Sequence, residues 1–121
     1  MSYHVTKKEE ATLYTAKNHY DVQTTRLHNG SDIDGNITLG LSHFLPGGGG
    51  TMGSSPAELL YFVLEGQITV TTGDGVVSVL NPGDSMHFAP NQEREFKNTS
   101  CRCAQMLVVS CPAKESAESI R

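Results

Sequence analysis

The feature that most limits how this chain can fold is its punctuation. Segments rich in Val, Leu, Thr and Phe are cut short, again and again, by turn signals. These are NGSD at 29–32, DGN at 34–36, Pro46 with Gly47 to Gly50, Glu65-Gly66, GDG at 73–75, NPGD at 81–84 and APN at 89–91. The uninterrupted segments suit strands and are too short for helices of ordinary length. Strands are expected at 21–28, 37–45, 58–64, 67–72, 76–80, 85–88, 94–98 and 104–110, and Gly73-Asp74-Gly75 reads as a hairpin turn. Eight or more short strands at near-regular spacing predict an all-β antiparallel sandwich or small barrel. The 121 residues suffice for a single domain, 1–121, with one real core. Residues 1–20 are expected as an arm or edge strand, and 112–121 as a polar tail, frayed or in a short helix.

Composition narrows the function classes. Charged residues are only 18 % of the chain, too few for a disordered tail or a long solvated helix. Nine Lys and Arg against thirteen Asp and Glu, with no basic cluster, make nucleic acid and anionic membranes poor partners. No apolar run approaches the ~18 residues of a membrane span. The opening MSYHVTKKEE has no apolar stretch after its charges and does not read as a signal peptide. Cys101, Cys103 and Cys111 are an odd set, expected as reduced thiols in a cytoplasmic protein. Cys101 and Cys103 form C-x-C, which lacks the paired spacings of a structural zinc site. Five His in so small a chain invite a metal hypothesis.

Strand alternation assigns faces. In 37–45, Ile37, Leu39, Leu41, His43 and Leu45 share one side, and Thr38, Gly40, Ser42 and Phe44 the other. In 58–64, Leu59, Tyr61 and Val63 share one side, and Glu58, Leu60, Phe62 and Leu64 the other.

The stretch from Gly47 to Asn98 resembles the cupin family, whose two motifs read G-x5-H-x-H-x(3,4)-E-x6-G and G-x5-P-x-G-x2-H-x3-N. YFVLEGQITV at 61–70 resembles the end of the first motif, with Gly66 as its last glycine. LNPGDSMHFAPN at 80–91 resembles the start of the second, which runs without a gap from Gly83 to Asn98, and FLPGGG at 44–49 resembles the approach to the first. The resemblance implies an antiparallel jelly-roll β-barrel and, in many members, a divalent metal held inside it by three His and a Glu.

The ligand positions depart from that pattern. The motif Glu falls on Leu59, with Glu58 one residue off and therefore on the opposite face. The two His fall on Met52 and Ser54, or on Gly53 and Ser55 with the shorter spacing. In the second motif Pro falls on Ala89, Gly on Asn91 and His on Arg94. A guanidinium is always charged and cannot be a ligand, and it would repel a divalent cation in a small cavity. No metal and no cofactor are therefore expected.

The site then reads as a small-molecule pocket. Arg94 is expected to anchor an anion, or else to pair with Glu93, Glu95 or Glu58. Met52, Ser54, Leu59, Phe96 and Asn98 are expected beside it. His43, His87 and Tyr61 are acid–base candidates for a metal-independent isomerase, lyase or cyclase, since the resemblance includes metal-free sugar epimerases and isomerases that use a His and a Tyr. A third possibility is a metal site rebuilt from His43, His87 and Glu58. His4, His19 and His28 lie in polar surroundings and are expected to be solvated. The apolar outer face Leu60, Phe62 and Leu64 needs cover, and cupins commonly pair through such sheets, which implies a homodimer.

Overall fold

The computed structural model describes residues 2–112. The polar tail expected at 112–121 lies outside the described residues from 113 onward. Nine strands run in sequence: β1 Thr12–Tyr14, β2 His19–His28, β3 Thr38–Gly53, β4 Glu58–Glu65, β5 Ile68–Thr72, β6 Val77–Leu80, β7 Ser85–Phe88, β8 Arg94–Lys97 and β9 Ala104–Cys111. Short 3-10 turns at Lys8–Glu10 and Gly30–Ile33 are the only helical pieces among the described residues. No described helix is long and apolar enough to cross a membrane.

Every pairing is antiparallel, in the order β6-β5-β8-β3-β9-β4-β7, with β2 on β3 and β1 on β2. The result is a nearly closed jelly-roll barrel. The 1–20 segment contributes both an arm and an edge strand, since Leu13 of β1 pairs with Thr25 of β2.

β3 is where structure and sequence differ most. Alternation ends its strand at Leu45, before Pro46 and the four glycines, yet β3 runs on to Gly53. Its first half pairs with β9, Thr38 to Phe44, and its second half with β8, Gly49 to Gly53, while β2 follows both. Glycine makes that continuation possible. A Cβ on Gly48 would collide with the Asp21 carbonyl oxygen, one on Gly49 with the Phe96 carbonyl oxygen, and one on Gly50 would meet the Phe96 ring at 2.5 Å. The glycine run is a strand squeezed between close neighbours rather than a turn.

The pleat then sorts side chains as period two requires. Leu59, Tyr61 and Val63 of β4 point in and are buried. Leu60, Phe62 and Leu64 point out. Phe44 of β3, Phe88 of β7, Phe96 of β8 and Met106 of β9 complete the core. Across the sheet, Leu39, Val109 and Leu60 lie in one register row, and Leu41, Leu107 and Phe62 in the next. The outer face of β3, β9 and β4 is thus apolar.

Candidate functional site

The barrel encloses a cavity of about 200 Å³, bounded by β3, β4, β8 and β9 and by the Tyr14–His19 stretch that joins β1 to β2. Phe96 is its hub. The His19 ring lies 5.0 Å from the Phe96 ring, the Tyr61 ring 5.8 Å, and the Arg94 guanidinium carbon 5.8 Å. All three polar groups line the same small space.

Arg94 enters it from the first position of β8. Its Nε donates to the Tyr61 hydroxyl oxygen at 3.2 Å, and its Nη1 donates to the Gly53 carbonyl at 3.2 Å. The guanidinium carbon also stands 5.8 Å from the Phe88 ring centre. Neither hydrogen-bond partner is charged. Glu58, one carboxylate considered for it, instead accepts from or pairs with His87 Nε2 at 2.6 Å on the outer face, where both side chains are more than half exposed. Among the described residues, no carboxylate lines the cavity.

Tyr61 is almost fully buried, and burial pushes its hydroxyl above the usual phenol value, with Arg94 offsetting part of the rise. His19 is held the other way. Burial lowers its pKa below the ordinary imidazole value of 6.5, the Lys17 carbonyl acts against that, and the Arg94 charge adds to the lowering. Its Nδ1 lies 2.8 Å from the Lys17 carbonyl oxygen. Because a carbonyl only accepts, Nδ1 carries a proton. Ser42, Ser55 and Ser110 add hydroxyls to a wall otherwise made of Leu59, Val108, Met106 and aromatic faces.

Of the residues singled out from sequence, Arg94, Tyr61, Leu59 and Phe96 line this cavity. The others stand elsewhere. Met52 and Ser54 are exposed, whereas the Gly53 carbonyl contacts Arg94 and Ser55 lines the wall, so the shorter motif spacing describes the inward positions. Asn98 is fully buried but spends its amide on its own loop. Its Nδ2 donates to the carbonyls of Leu45 and Arg102, and its Oδ1 accepts from the Ser100 N–H and hydroxyl.

His43 and His87 are the main correction. Each follows an odd–even alternation that sends its neighbour inward: Ser42 and Phe44 flank His43, and Phe88 follows His87. His43 therefore lies on the outer surface near Asp21, Gln23 and Cys103, and His87 pairs with Glu58. They share no cavity wall. His19, expected to be solvated, is the histidine that reaches the barrel. Its own neighbourhood in sequence is polar, and only pairing with Gly50 across β3 brings it there. The signal was in the partner strand: glycines at Gly48 to Gly50 leave side-chain space that an adjacent strand fills.

The metal site of the resemblance does not fit these residues. Among the described residues, the cavity lining offers one imidazole, no carboxylate, no thiolate and a permanent cation. The alternative set His43, His87 and Glu58 is not assembled either, since no group of three or more His, Cys, Asp or Glu comes together to hold a metal among the described residues. A wider groove of about 730 Å³ lies outside the barrel, between the N-terminal arm and β2, and includes His4, Arg26 and His28. It is larger, but it is in the barrel that a buried tyrosine and a partly buried arginine and histidine converge on one cavity, the usual mark of a small-molecule site.

Known proteins match this architecture. A family model described as a cupin domain matches residues 40–110. A curated relative, the beta-D-galactosidase Rv1717 of Mycobacterium tuberculosis, is 35 % identical over 115 residues, spanning 93 % of this chain and 98 % of its own. Among solved structures, the polyketide cyclase RemF of Streptomyces resistomycificus superposes with a TM-score of 0.77 at 18 % identity, covering 92 % of this chain and 80 % of the other. An RmlC-like cupin from Shewanella frigidimarina gives 0.74 at 21 % identity, covering 94 % and 95 %. At those identities the solved structures speak for the fold alone. The family match, the full-length relative and the barrel agree: this chain belongs to the cupin family.

Proposed function

We propose that this cupin binds a small hydroxylated organic anion in its barrel, anchored by Arg94 and without a metal in the family's usual place. The observation that carries the proposal is the Arg94 guanidinium, held inside the barrel by two neutral acceptors and, among the described residues, by no carboxylate. A charge in such a place is costly unless an anion completes it, and the planar fork suits a carboxylate or phosphate bidentately. The cavity, about 200 Å³, is below the roughly 300–1,000 Å³ of drug-sized sites, so the ligand is compact. The galactosidase name of the Mycobacterium relative supports a ligand of sugar character. The protein acts as a homodimer through the apolar outer face of β3, β9 and β4, and works in the cytoplasm.

The same relative favours a second reading, hydrolysis of a galactoside. Glycosidases ordinarily place two carboxyl groups across the scissile bond, and the described residues of the barrel lining supply none. Binding of a sugar acid is therefore preferred over hydrolysis here. Calorimetric titration of galactose and galacturonate into the wild-type protein and Arg94→Leu tests the proposal. Losing charge-assisted hydrogen bonds should weaken galacturonate roughly 10- to 150-fold and leave galactose nearly unchanged. Equal affinity of the variant for the acid would remove Arg94 as anchor. Release of nitrophenol from a chromogenic β-galactoside would favour the second reading.

A further inference from the structure

We infer that His19 and Arg94 together select a 2-hydroxy acid: Arg94 takes the carboxylate, and His19 Nε2 accepts the hydrogen bond of the neighbouring hydroxyl. This rests on the proposal that Arg94 anchors an anion, and it deepens that proposal by assigning the second half of the ligand.

The argument is one of donors and acceptors. Arg94 can only donate. The Tyr61 oxygen already accepts from Arg94 Nε. The Ser55 hydroxyl oxygen accepts from the Ala57 N–H at 3.1 Å. The hydroxyls of Tyr14, Ser42 and Ser110 also line the cavity and can donate or accept, whereas a neutral imidazole with its proton on Nδ1 can only accept at Nε2. The His19 Nδ1–H is committed to the Lys17 carbonyl, which leaves the lone pair on Nε2, at the far end of the ring. No described residue hydrogen-bonds to that nitrogen. Burial and the nearby guanidinium keep the ring neutral at pH 7, so the lone pair is present.

Geometry places this acceptor beside the cation. His19 and Arg94 approach the same Phe96 ring, at 5.0 and 5.8 Å, and both line one cavity of about 200 Å³. One compact ligand in that cavity therefore meets the donor fork of Arg94 and the uncommitted lone pair of His19, with the Ser42 and Ser110 hydroxyls in the same wall. A carboxylate alone leaves the imidazole unsatisfied, and a neutral alcohol leaves the guanidinium unsatisfied. A carboxylate with a hydroxyl on the adjacent carbon satisfies both. Aldonic acids, in which the carbon beside the carboxylate bears a free hydroxyl, are the sugar acids of this class, in keeping with the sugar character argued above. His19 is thus a specificity-determining residue. Its position at the start of β2 is fixed by pairing with Gly50 and by the Thr51 N–H donating to the Asn18 carbonyl at 3.0 Å.

Lactate and propionate differ by the one hydroxyl in question and both fit the cavity. NMR titrations of each acid into the wild-type protein, His19→Phe, His19→Gln and Arg94→Leu form the test. Wild type should prefer lactate by roughly two- to ten-fold, the worth of one neutral hydrogen bond. His19→Phe keeps an aromatic edge against Phe96 and should bind the two acids equally. His19→Gln, whose amide oxygen can accept, should recover part of the preference. In the unmutated protein, lactate and not propionate should move the His19 Nε2 nitrogen resonance, a readout that needs no variant to fold. A lactate preference that survives in His19→Phe, or an Nε2 signal indifferent to lactate, overturns the role of His19. Failure of wild type to bind either acid at tens of millimolar, or equal binding of both by Arg94→Leu and wild type, overturns the Arg94 anchor instead.

Discussion

Replacing Asn98 by Ala should cost stability rather than ligand affinity. Asn98 sits at the end of the second motif and is fully buried, yet its four hydrogen bonds all go to the chain around it. Nδ2 bridges the carbonyls of Leu45 and Arg102, while Oδ1 holds the Ser100 N–H at 3.0 Å and its hydroxyl at 2.7 Å. The Asn98 backbone also takes part, since its carbonyl accepts from Gly47 N–H at 2.8 Å and its N–H donates to Gly48 at 2.8 Å, and alanine keeps both bonds. The side chain therefore pins the 98–103 loop to β3 at Leu45, just ahead of the glycine run. Each lost bond is worth about 1 kcal/mol net. The Ser100 hydroxyl keeps the Arg102 carbonyl at 3.1 Å, so one of the four losses is partly made good. The expected total is about 3 kcal/mol, large against the ~5–15 kcal/mol of a typical domain. At about 4 °C per kcal/mol for a chain of this size, the midpoint should fall by about 12 °C. Urea unfolding followed by near-UV circular dichroism gives the difference directly. Asn98→Asp is the sharper companion, because it keeps the Oδ1 acceptor but turns the donor into an oxygen facing two carbonyls. It should be at least as damaging as alanine. A midpoint within 2 °C of wild type for Asn98→Ala, or a selective loss of ligand binding at unchanged stability, would refute the assignment of Asn98 to the loop.

Two further outcomes follow from the same structure. His19 has a lowered pKa in the folded protein, so below pH 6.5 the unfolded chain takes up the proton first. Its contribution is complete above pH 6.5 and declines as pH falls through that value; the urea midpoint of wild type should therefore drop more between pH 7.5 and 5.5 than that of His19→Phe, and identical drops would contradict it. The outer face predicts the oligomeric state. Leu60 and Phe62 are 45 % and 41 % exposed in the isolated chain, and changing both to Lys places two charges on each partner's contact surface. Sedimentation should show a wild-type dimer and a folded variant monomer at tens of micromolar, whereas a monomeric wild-type protein would remove this interface.

The strand pattern was legible because it depends on local chemistry. Turn residues and period-two alternation located the strands at 58–64 and 85–88 and the inward set Leu59, Tyr61 and Val63, and the motif spacing carried Arg94 to the barrel wall. Where the pattern ran through Pro46 and the glycines, local rules pointed to a turn and the structure holds a strand. The histidines show the same limit. Composition invited a metal, alternation could separate His43 from Ser42 and Phe44 but could not say which face was the interior, and nothing local marked His19.

By itself, then, the sequence determined the class of fold, the family and the side-chain alternation within each strand, because turn chemistry and pleating act over a few residues. Only the tertiary structure decided which faces enclose the cavity and which distant groups meet there. Phe96 gathers His19 and Tyr61, from strands far apart in the chain, beside Arg94 of its own strand. Register across β3, fixed by how closely Gly48 to Gly50 let β2 and β8 approach, is a property of the whole barrel. No short window of residues contains it.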